Sequence, residues 1–174
     1  TYILFQETFH KPTYEKLHPT GPKSNYAYHT EAMDRAMTGG IDDVGIGVLF
    51  GLHQYRYDFV GLLLQVKHLE DTFGVGPHTI SVPRIRPADD VDVSEYPDAV
   101  TDRLFEKIVA ILRITVPYTG IIISTRESKE SRERVLKIGV SQISGASSTS
   151  VGGYAEKEKE NSAQFEIDDN RTLD

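Results

Sequence analysis

Polar residues just past the ends of short apolar runs are where this chain could do chemistry: Glu7, Arg84 with Arg86, the group Ser124, Arg126 and Glu127, and Ser144 with Ser147. A carboxylate directly after a buried strand, as at Glu7, accepts hydrogen bonds from ribose hydroxyls or holds an ammonium group; equally, it can be a loop carboxylate at the Thr13 turn. Arg84 and Arg86 flank Ile85, and two guanidinium groups at one mouth suit a carboxylate or phosphate by bidentate contact. Their plainer use is surface pairing with Asp89 and Asp90. Ser124-Thr125-Arg126-Glu127 puts a charged pair at a helix start, able to grip the carboxylate of an amino acid or simply to cap the helix. Gly45-Ile46-Gly47 lies within a strand, so it is weak as a phosphate loop; the glycines thin one face for a flat adenine, or for core packing. His78 has the side-chain parity of Arg84, and six residues at roughly 3.3 Å each separate them by about 20 Å, at opposite mouths if that side faces a barrel interior. Taken alone, His78 is either a structural residue or a metal ligand. No Ser-His-Asp arrangement is discernible, and the histidines are too scattered for a dinuclear metal centre.

The elements that must position these residues alternate. Strands are predicted at Tyr2 to Phe5, Val44 to Phe50, Thr79 to Val82, Ile121 to Ser124 and Val140 to Ile143. Between them the spacing predicts a short helical turn at Tyr14 to Leu17 and a helix over His29 to Met37 closed by Gly39 and Gly40. An amphipathic helix follows over Asp58 to Phe73, then one through Leu104, Ile108, Ile111 and Leu112 up to Pro117, then a charged helix from Glu127 to Leu136 with Ser128 as its N-cap. Strand and helix in alternation argue for a parallel α/β sheet, whose chemistry sits at the carboxyl ends of the strands. The first strand begins at the second residue, as expected for the back half of a larger barrel.

At 174 residues one domain is the prior. The net charge of −7 makes a broad nucleic-acid surface the wrong expectation. Much of that charge lies in Ala88 to Asp98 and Ala155 to Asp174, which read as solvated surface. No apolar run approaches the roughly 20 residues that span a bilayer, and no signal-peptide pattern opens the chain, so a cytoplasmic location is the expectation. There is no Cys, which excludes disulfides, thiolate nucleophiles and Cys-ligated iron or zinc within this segment.

Several segments then resemble one family in their wording. Phe5-Gln6-Glu7-Thr8-Phe9-His10, His18-Pro19-Thr20-Gly21-Pro22-Lys23, Asp34-Arg35-Ala36, Val44 to Leu52, Ser81-Val82-Pro83-Arg84-Ile85-Arg86-Pro87, Ile123 to Glu127 and Gln142-Ile143-Ser144 are similar to the aromatic-amino-acid lyases of the radical S-adenosylmethionine superfamily. Gly76-Pro77-His78-Thr79 and Ser150-Val151-Gly152-Gly153-Tyr154 resemble the tyrosine lyases that mature FeFe-hydrogenase, with the thiamine-pathway tyrosine lyases (2-iminoacetate synthases) next. The resemblance implies the last five strands and helices of a (β/α)8 TIM-type barrel, incomplete in this chain. Residues 1–77 would belong to the radical core, 78–154 to the biotin and thiamin synthesis associated domain, and 155–174 to a charged linker towards an auxiliary-cluster region.

The resemblance also implies roles. Glu7, Gly45, Gly47, Leu49 and Arg84 would contact S-adenosylmethionine, Ser124, Arg126 and Ser144 the tyrosine backbone, and His78 a labile iron on an auxiliary cluster. Related enzymes often place an Arg where His29 stands. The parent enzyme would carry two iron-sulfur clusters, work with hydrogenase maturation proteins, and cleave tyrosine to p-cresol and dehydroglycine, the source of carbon monoxide and cyanide. The Cys ligands of both clusters would lie outside this segment, so it would hold no catalytic residue of its own, act alone on nothing, and be prone to self-association through open sheet edges. A cofactor-free α/β module that binds a small anion or a protein is the rival from another class.

Overall fold

A computed structural model describes residues 1–86 and 92–143. The elements run β1 (Tyr2–Ile3), α1 (Lys11–Leu17), α2 (Tyr26–Thr30), α3 (Ala32–Thr38), β2 (Val44–Gly47), α4 (Tyr55–Phe73), β3 (Thr79–Ser81), a 3-10 turn (Val93–Glu95), α5 (Asp102–Thr115), β4 (Gly120–Ile123), α6 (Lys129–Leu136) and β5 (Gln142–Ile143). The strands form one sheet in the order β1-β2-β3-β4-β5, every neighbouring pair parallel. Ser144 to Ser150, the segment 155–174 and the pair Asp89 and Asp90 lie outside the described residues.

Sequence decides which face of this sheet is covered. Val44, Ile46, Val48 and Phe50 alternate to one side with Ile80, Val82, Ile121 and Ile123, and all are fully buried with Leu62, Val66 and Leu69 of α4 and Phe105, Ile108, Val109 and Leu112 of α5. The α5 residues recur at i, i+3, i+4 and i+7, one stripe of a helix. Each such side chain contributes about 1.5–3 kcal/mol by leaving water. Caps fix the helix ends: Thr101 accepts from the Leu104 N–H, Ser128 from the Ser131 N–H, and Gly74 closes α4 in the left-handed region at φ 74°.

The other face carries Ile3, Phe5, Gly45, Gly47, Thr79, Ser81, Gly120 and Ile122. The helical residues of the core on the first face come from α3, α4, α5 and α6, as right-handed crossovers in sequential strand order require, so this second face is left for other strands to enclose. That is the arrangement of consecutive units of a (β/α)8 barrel, whose lumen this face lines.

Several expectations about element bounds change: β1 is Tyr2–Ile3 rather than running to Phe5, and α1 begins at Lys11 and α4 at Tyr55, earlier than the spacing predicts. The helix over 29–37 is two, α2 and α3, meeting at Glu31, because Asn25 caps α2 early and the Thr30 hydroxyl turns back onto the Tyr26 carbonyl at 2.8 Å. Regular β2 pairing ends at Gly47 rather than Phe50, and Leu49 N–H reaches the Glu7 carbonyl at 2.8 Å instead. Within 140–143 only Gln142–Ile143 pairs as a strand, while Val140 is buried in the helix-side core. Among the described residues, no helix is long and apolar enough to cross a membrane.

Candidate functional site

At the carboxyl end of β1 the chain makes a forced turn. The ladder with β2 continues through Leu4 N–H to Gly45 O at 3.1 Å and Gln6 N–H to Gly47 O at 2.9 Å, and then Glu7 takes φ 68°. No other non-glycine among the described residues has a positive φ, and such a conformation persists only where its surroundings impose it. Asp58, in the first turn of α4, imposes it. Its Oδ1 accepts the Thr8 hydroxyl and the Phe9 N–H, each at 2.8 Å, and the Phe9 ring lies in the notch left by Gly61, where an added Cβ would sit 2.5 Å from ring carbon Cγ. Burial pushes the Asp58 carboxyl above the usual range, against the opposing pull of the Phe9 N–H and Thr8 hydroxyl.

So positioned, Glu7 is half-buried and accepts from the Lys23 ammonium at 2.5 Å. Tyr14 holds Lys23 in turn, its hydroxyl donating to the Lys23 carbonyl at 2.8 Å. Burial, and then the Glu7 charge, push the Tyr14 phenol up. His29 is buried, its Nε2–H donates to the Phe5 carbonyl at 2.9 Å, and its ring lies against Tyr14. It braces the end of β1 from behind.

The glycines of β2 make the adjoining floor low. A Cβ on Gly45 would lie 2.6 Å from Thr79 Oγ1 and 2.8 Å from Ile3 Cγ1; one on Gly47 would lie 2.7 Å from the Ser81 carbonyl and 3.0 Å from Phe5 Cδ1. Side chains of the flanking strands close over the missing ones, leaving a flat surface at the height of one side-chain layer. Leu49 follows, half-buried, at the strand end.

Arg84 is not at an open mouth. It shares the parity of Ile80 and Val82, the helix-covered side, so the condition on the two-mouth expectation for its side chain is not met. It is 3% exposed and donates through Nε and Nη2 to both carboxylate oxygens of buried Glu127, each at 2.6 Å. Further bonds reach the Val100 carbonyl at 2.9 Å and Asp102 at 2.7 Å, and its guanidinium stands over the Phe105 ring at 4.6 Å. Burial alone would lower its pKa; the two carboxylates outweigh that and raise it. Arg86 lies within 3.8 Å of Asp102.

Glu127 closes the turn that follows β4, its N–H donating to the Ser124 carbonyl at 3.2 Å. The Ser124 hydroxyl accepts the Arg126 N–H at 3.2 Å, and the Arg126 side chain is exposed. Arg84 and Glu127 therefore clamp from beneath the turn that presents Ser124 and Arg126 above. Ser144 lies outside the described residues. At the opposite, amino ends of the strands, His78 is exposed with Nδ1 3.1 Å from Asp43 Oδ1.

The structure thus brings Glu7, Gly45, Gly47 and Leu49 together, sets Ser124 and Arg126 on the same rim, and leaves His78 at the other end. Sequence reasoning missed Asp58, Lys23, Asp43 and the partners of Arg84. Asp58 looks like any acid opening a helix, and nothing local marks its burial.

The family model for the biotin and thiamin synthesis associated domain matches residues 81–174. The 2-iminoacetate synthase of Escherichia coli is 31% identical over 170 residues, 97% of this chain and 44% of that protein. That of Salmonella typhimurium is 28% identical over 159 residues, 91% of this chain and 42% of that protein. Among solved structures, HydG, a maturase of the FeFe-hydrogenase, superposes with a TM-score of 0.92 at 56% identity, over 99% of this chain and 37% of that one. HydG from Carboxydothermus hydrogenoformans gives 0.83 and 42%, over 99% and 39%. The chain spans less than half the length of each of these relatives.

Proposed function

The chain belongs to the biotin and thiamin synthesis associated domain family, and from that premise we propose that it forms one wall of the reaction chamber of a radical S-adenosylmethionine tyrosine lyase of the hydrogenase-maturing kind. The parent protein cleaves tyrosine to p-cresol and dehydroglycine, which yields carbon monoxide and cyanide for the FeFe-hydrogenase active site. The higher identity to the two maturases favours that branch over the 2-iminoacetate synthases. Residues 1–77 are the end of the radical core and 78–154 the associated domain, with 155–174 leading towards an auxiliary-cluster region. The division is one of sequence, since β2 and β3 are hydrogen-bonded neighbours in one sheet.

The observation that carries this reading is the glycine-lowered, helix-free face of the sheet with Glu7, Ser124 and Arg126 at one rim. S-adenosylmethionine fits that surface. Gly45, Gly47 and Leu49 would take its flat adenine, and Glu7, already paired with an ammonium in Lys23, would receive hydroxyl or ammonium donors. Bound there, the cofactor supplies the radical chemistry. The chain's own residues orient and enclose: Ser124, Arg126 and Ser144 take the tyrosine backbone, Arg126 as the carboxylate's partner, while the barrel wall excludes water. Arg84, expected among the cofactor contacts, serves from behind by fixing Glu127. Both clusters would take their thiolates from outside this segment, which has no Cys, and His78 would be the ligand it offers to a labile iron at the other rim.

The test is product analysis with the full-length protein, anaerobic, with S-adenosylmethionine, reductant and tyrosine. The expected products are p-cresol, carbon monoxide and cyanide. p-Cresol without the two gases' precursors being consumed, that is with dehydroglycine persisting, moves the assignment to the 2-iminoacetate synthases. Absence of p-cresol removes the lyase reading and leaves a binding module.

A further inference from the structure

Lys23 meets Glu7 from 16 residues along the chain, and buried groups put it there. Gly21, at φ 84°, opens a turn that the Ser24 N–H closes onto the Gly21 carbonyl at 3.1 Å. The Lys23 carbonyl accepts the hydroxyl of Tyr14, a fully buried residue whose ring packs against those of His18, Tyr26 and His29. His29 in turn donates to the Phe5 carbonyl, two residues before Glu7. One aromatic group therefore fixes both the strand end that carries the carboxylate and the turn that carries the ammonium. The two charges are brought together by the backbone and not only by their attraction.

Their contact is a hydrogen bond, Lys23 Nζ to Glu7 Oε1 at 2.5 Å, with the Glu7 side chain 19% exposed and that of Lys23 44%. Glu7 makes no other side-chain hydrogen bond among the described residues. A carboxylate accepts on both oxygens, so Oε2 is left for a further donor. The Glu7 carbonyl accepts the Leu49 N–H at 2.8 Å, which ties this residue to the end of β2 beside Gly47. Backbone ties alone leave the side chain a choice of rotamers. A charge-assisted bond on one oxygen selects among them.

We infer that Lys23 is a positioning residue for cofactor binding: its ammonium holds Glu7 by Oε1, so that Oε2 is presented to a hydroxyl or ammonium donor of S-adenosylmethionine. Lys23 acts through Glu7 and does not itself touch the cofactor. This rests on the reading of Glu7 as a cofactor contact proposed above.

The test is a double-mutant cycle on the full-length, cluster-reconstituted protein. Anaerobic calorimetry measures S-adenosylmethionine affinity for the parent, K23M, E7G and K23M/E7G. Methionine keeps much of the lysine stem without its charge, and the turn stays because Tyr14 binds a backbone carbonyl. Glycine removes the carboxylate and suits φ 68°. Losing a hydrogen bond to a charged group should weaken binding about tenfold or more in E7G. K23M should weaken it about 3–10-fold, and the double variant should match E7G within about twofold, as expected of a pair acting as one. A merely structural Lys23 would lower the unfolding midpoint and leave the affinity unmoved. Unchanged or tighter binding in K23M beside loss in E7G overturns the inference alone. So do losses that multiply in the double variant, since Lys23 would then contact the cofactor independently. Unchanged binding in E7G removes Glu7 from the cofactor's contacts, and the inference with it.

Discussion

Removing Arg84 tests whether the strand-end turn is held from below. Its side chain and that of Glu127 are 1% and 2% exposed and joined by two bonds of 2.6 Å, whereas Asp102, its other carboxylate partner, is 51% exposed. Deleting one member of a buried pair strands the other charge at a cost of about 3–5 kcal/mol; R84A also loses the Phe105 stacking, about 0.5–2 kcal/mol. An exposed ion pair contributes about 0–1 kcal/mol. R84A should thus lose about 4 kcal/mol and D102A under about 1. The double variant R84M/E127L, with neither charge, should be more stable than R84A, because a well-packed apolar pair replaces a buried ionic one at little cost or with gain. Urea unfolding followed by far-UV circular dichroism measures all three, read as midpoint shifts at constant slope. The double variant should recover stability and still show a raised KM for tyrosine, since nothing then fixes the turn carrying Ser124 and Arg126. D102A costing as much as R84A, or R84A costing under about 1 kcal/mol, would refute the clamp.

Further predictions follow from the β1 end and the glycines. A left-handed conformation costs a non-glycine residue roughly 1–2 kcal/mol, so with φ 68° at Glu7, E7A should be less stable than E7G by about that much. Both variants should lose S-adenosylmethionine affinity by calorimetry on the full-length protein; equal stability of the two contradicts an imposed conformation. G47A should cost about 1–3 kcal/mol because its Cβ meets a backbone oxygen at 2.7 Å, and G74A about 1 kcal/mol from its φ alone, with open space around it; thermal unfolding compares them. Asp58 titrates above its unfolded value of about 3.9. Its burial therefore adds nothing below that pH and weakens the fold progressively as pH rises through the elevated folded value. D58N, which keeps an acceptor for Thr8 and Phe9, should flatten that slope; an unchanged pH profile would count against it. For Asp102 the sign is opposite: the hydrogen bond from Arg84 holds its carboxyl below the usual range, giving stability present above about 3.9 and lost as pH falls through the folded value, a slope absent in D102A.

All five strands were legible because each is a short apolar run set off by turn residues, and in a singly wound sheet the helix-side positions are uniformly aliphatic, as Ile46, Ile80 and Ile121 show. The Ser128 cap was legible because it is a local interaction. What failed was non-local. The break at Glu31 depends on the Asn25 cap and on α2 being held to β1, through Gln6 to Thr30 at 3.0 Å and His29 to Phe5. Asp89 and Asp90, the partners the sequence suggested for the arginines, lie outside the described residues; among the described residues the carboxylates that Arg84 meets come from 18 and 43 residues away. Parity rightly paired His78 with Arg84; it could not say that the shared side faces the helices. The glycines were recognisable as a thinned face, though only the register shows Thr79 and Ser81 closing over them.

The central claim is that the glycine-lined face and its carboxyl rim hold cofactor and substrate. A crystal structure of the full-length protein with S-adenosylmethionine and tyrosine measures this most directly. The account predicts the adenine in van der Waals contact with Gly45 and Gly47, Glu7 hydrogen-bonded to the cofactor, and Arg126 paired with the tyrosine carboxylate. Both ligands bound away from this face, with Arg126 pairing neither, would contradict it.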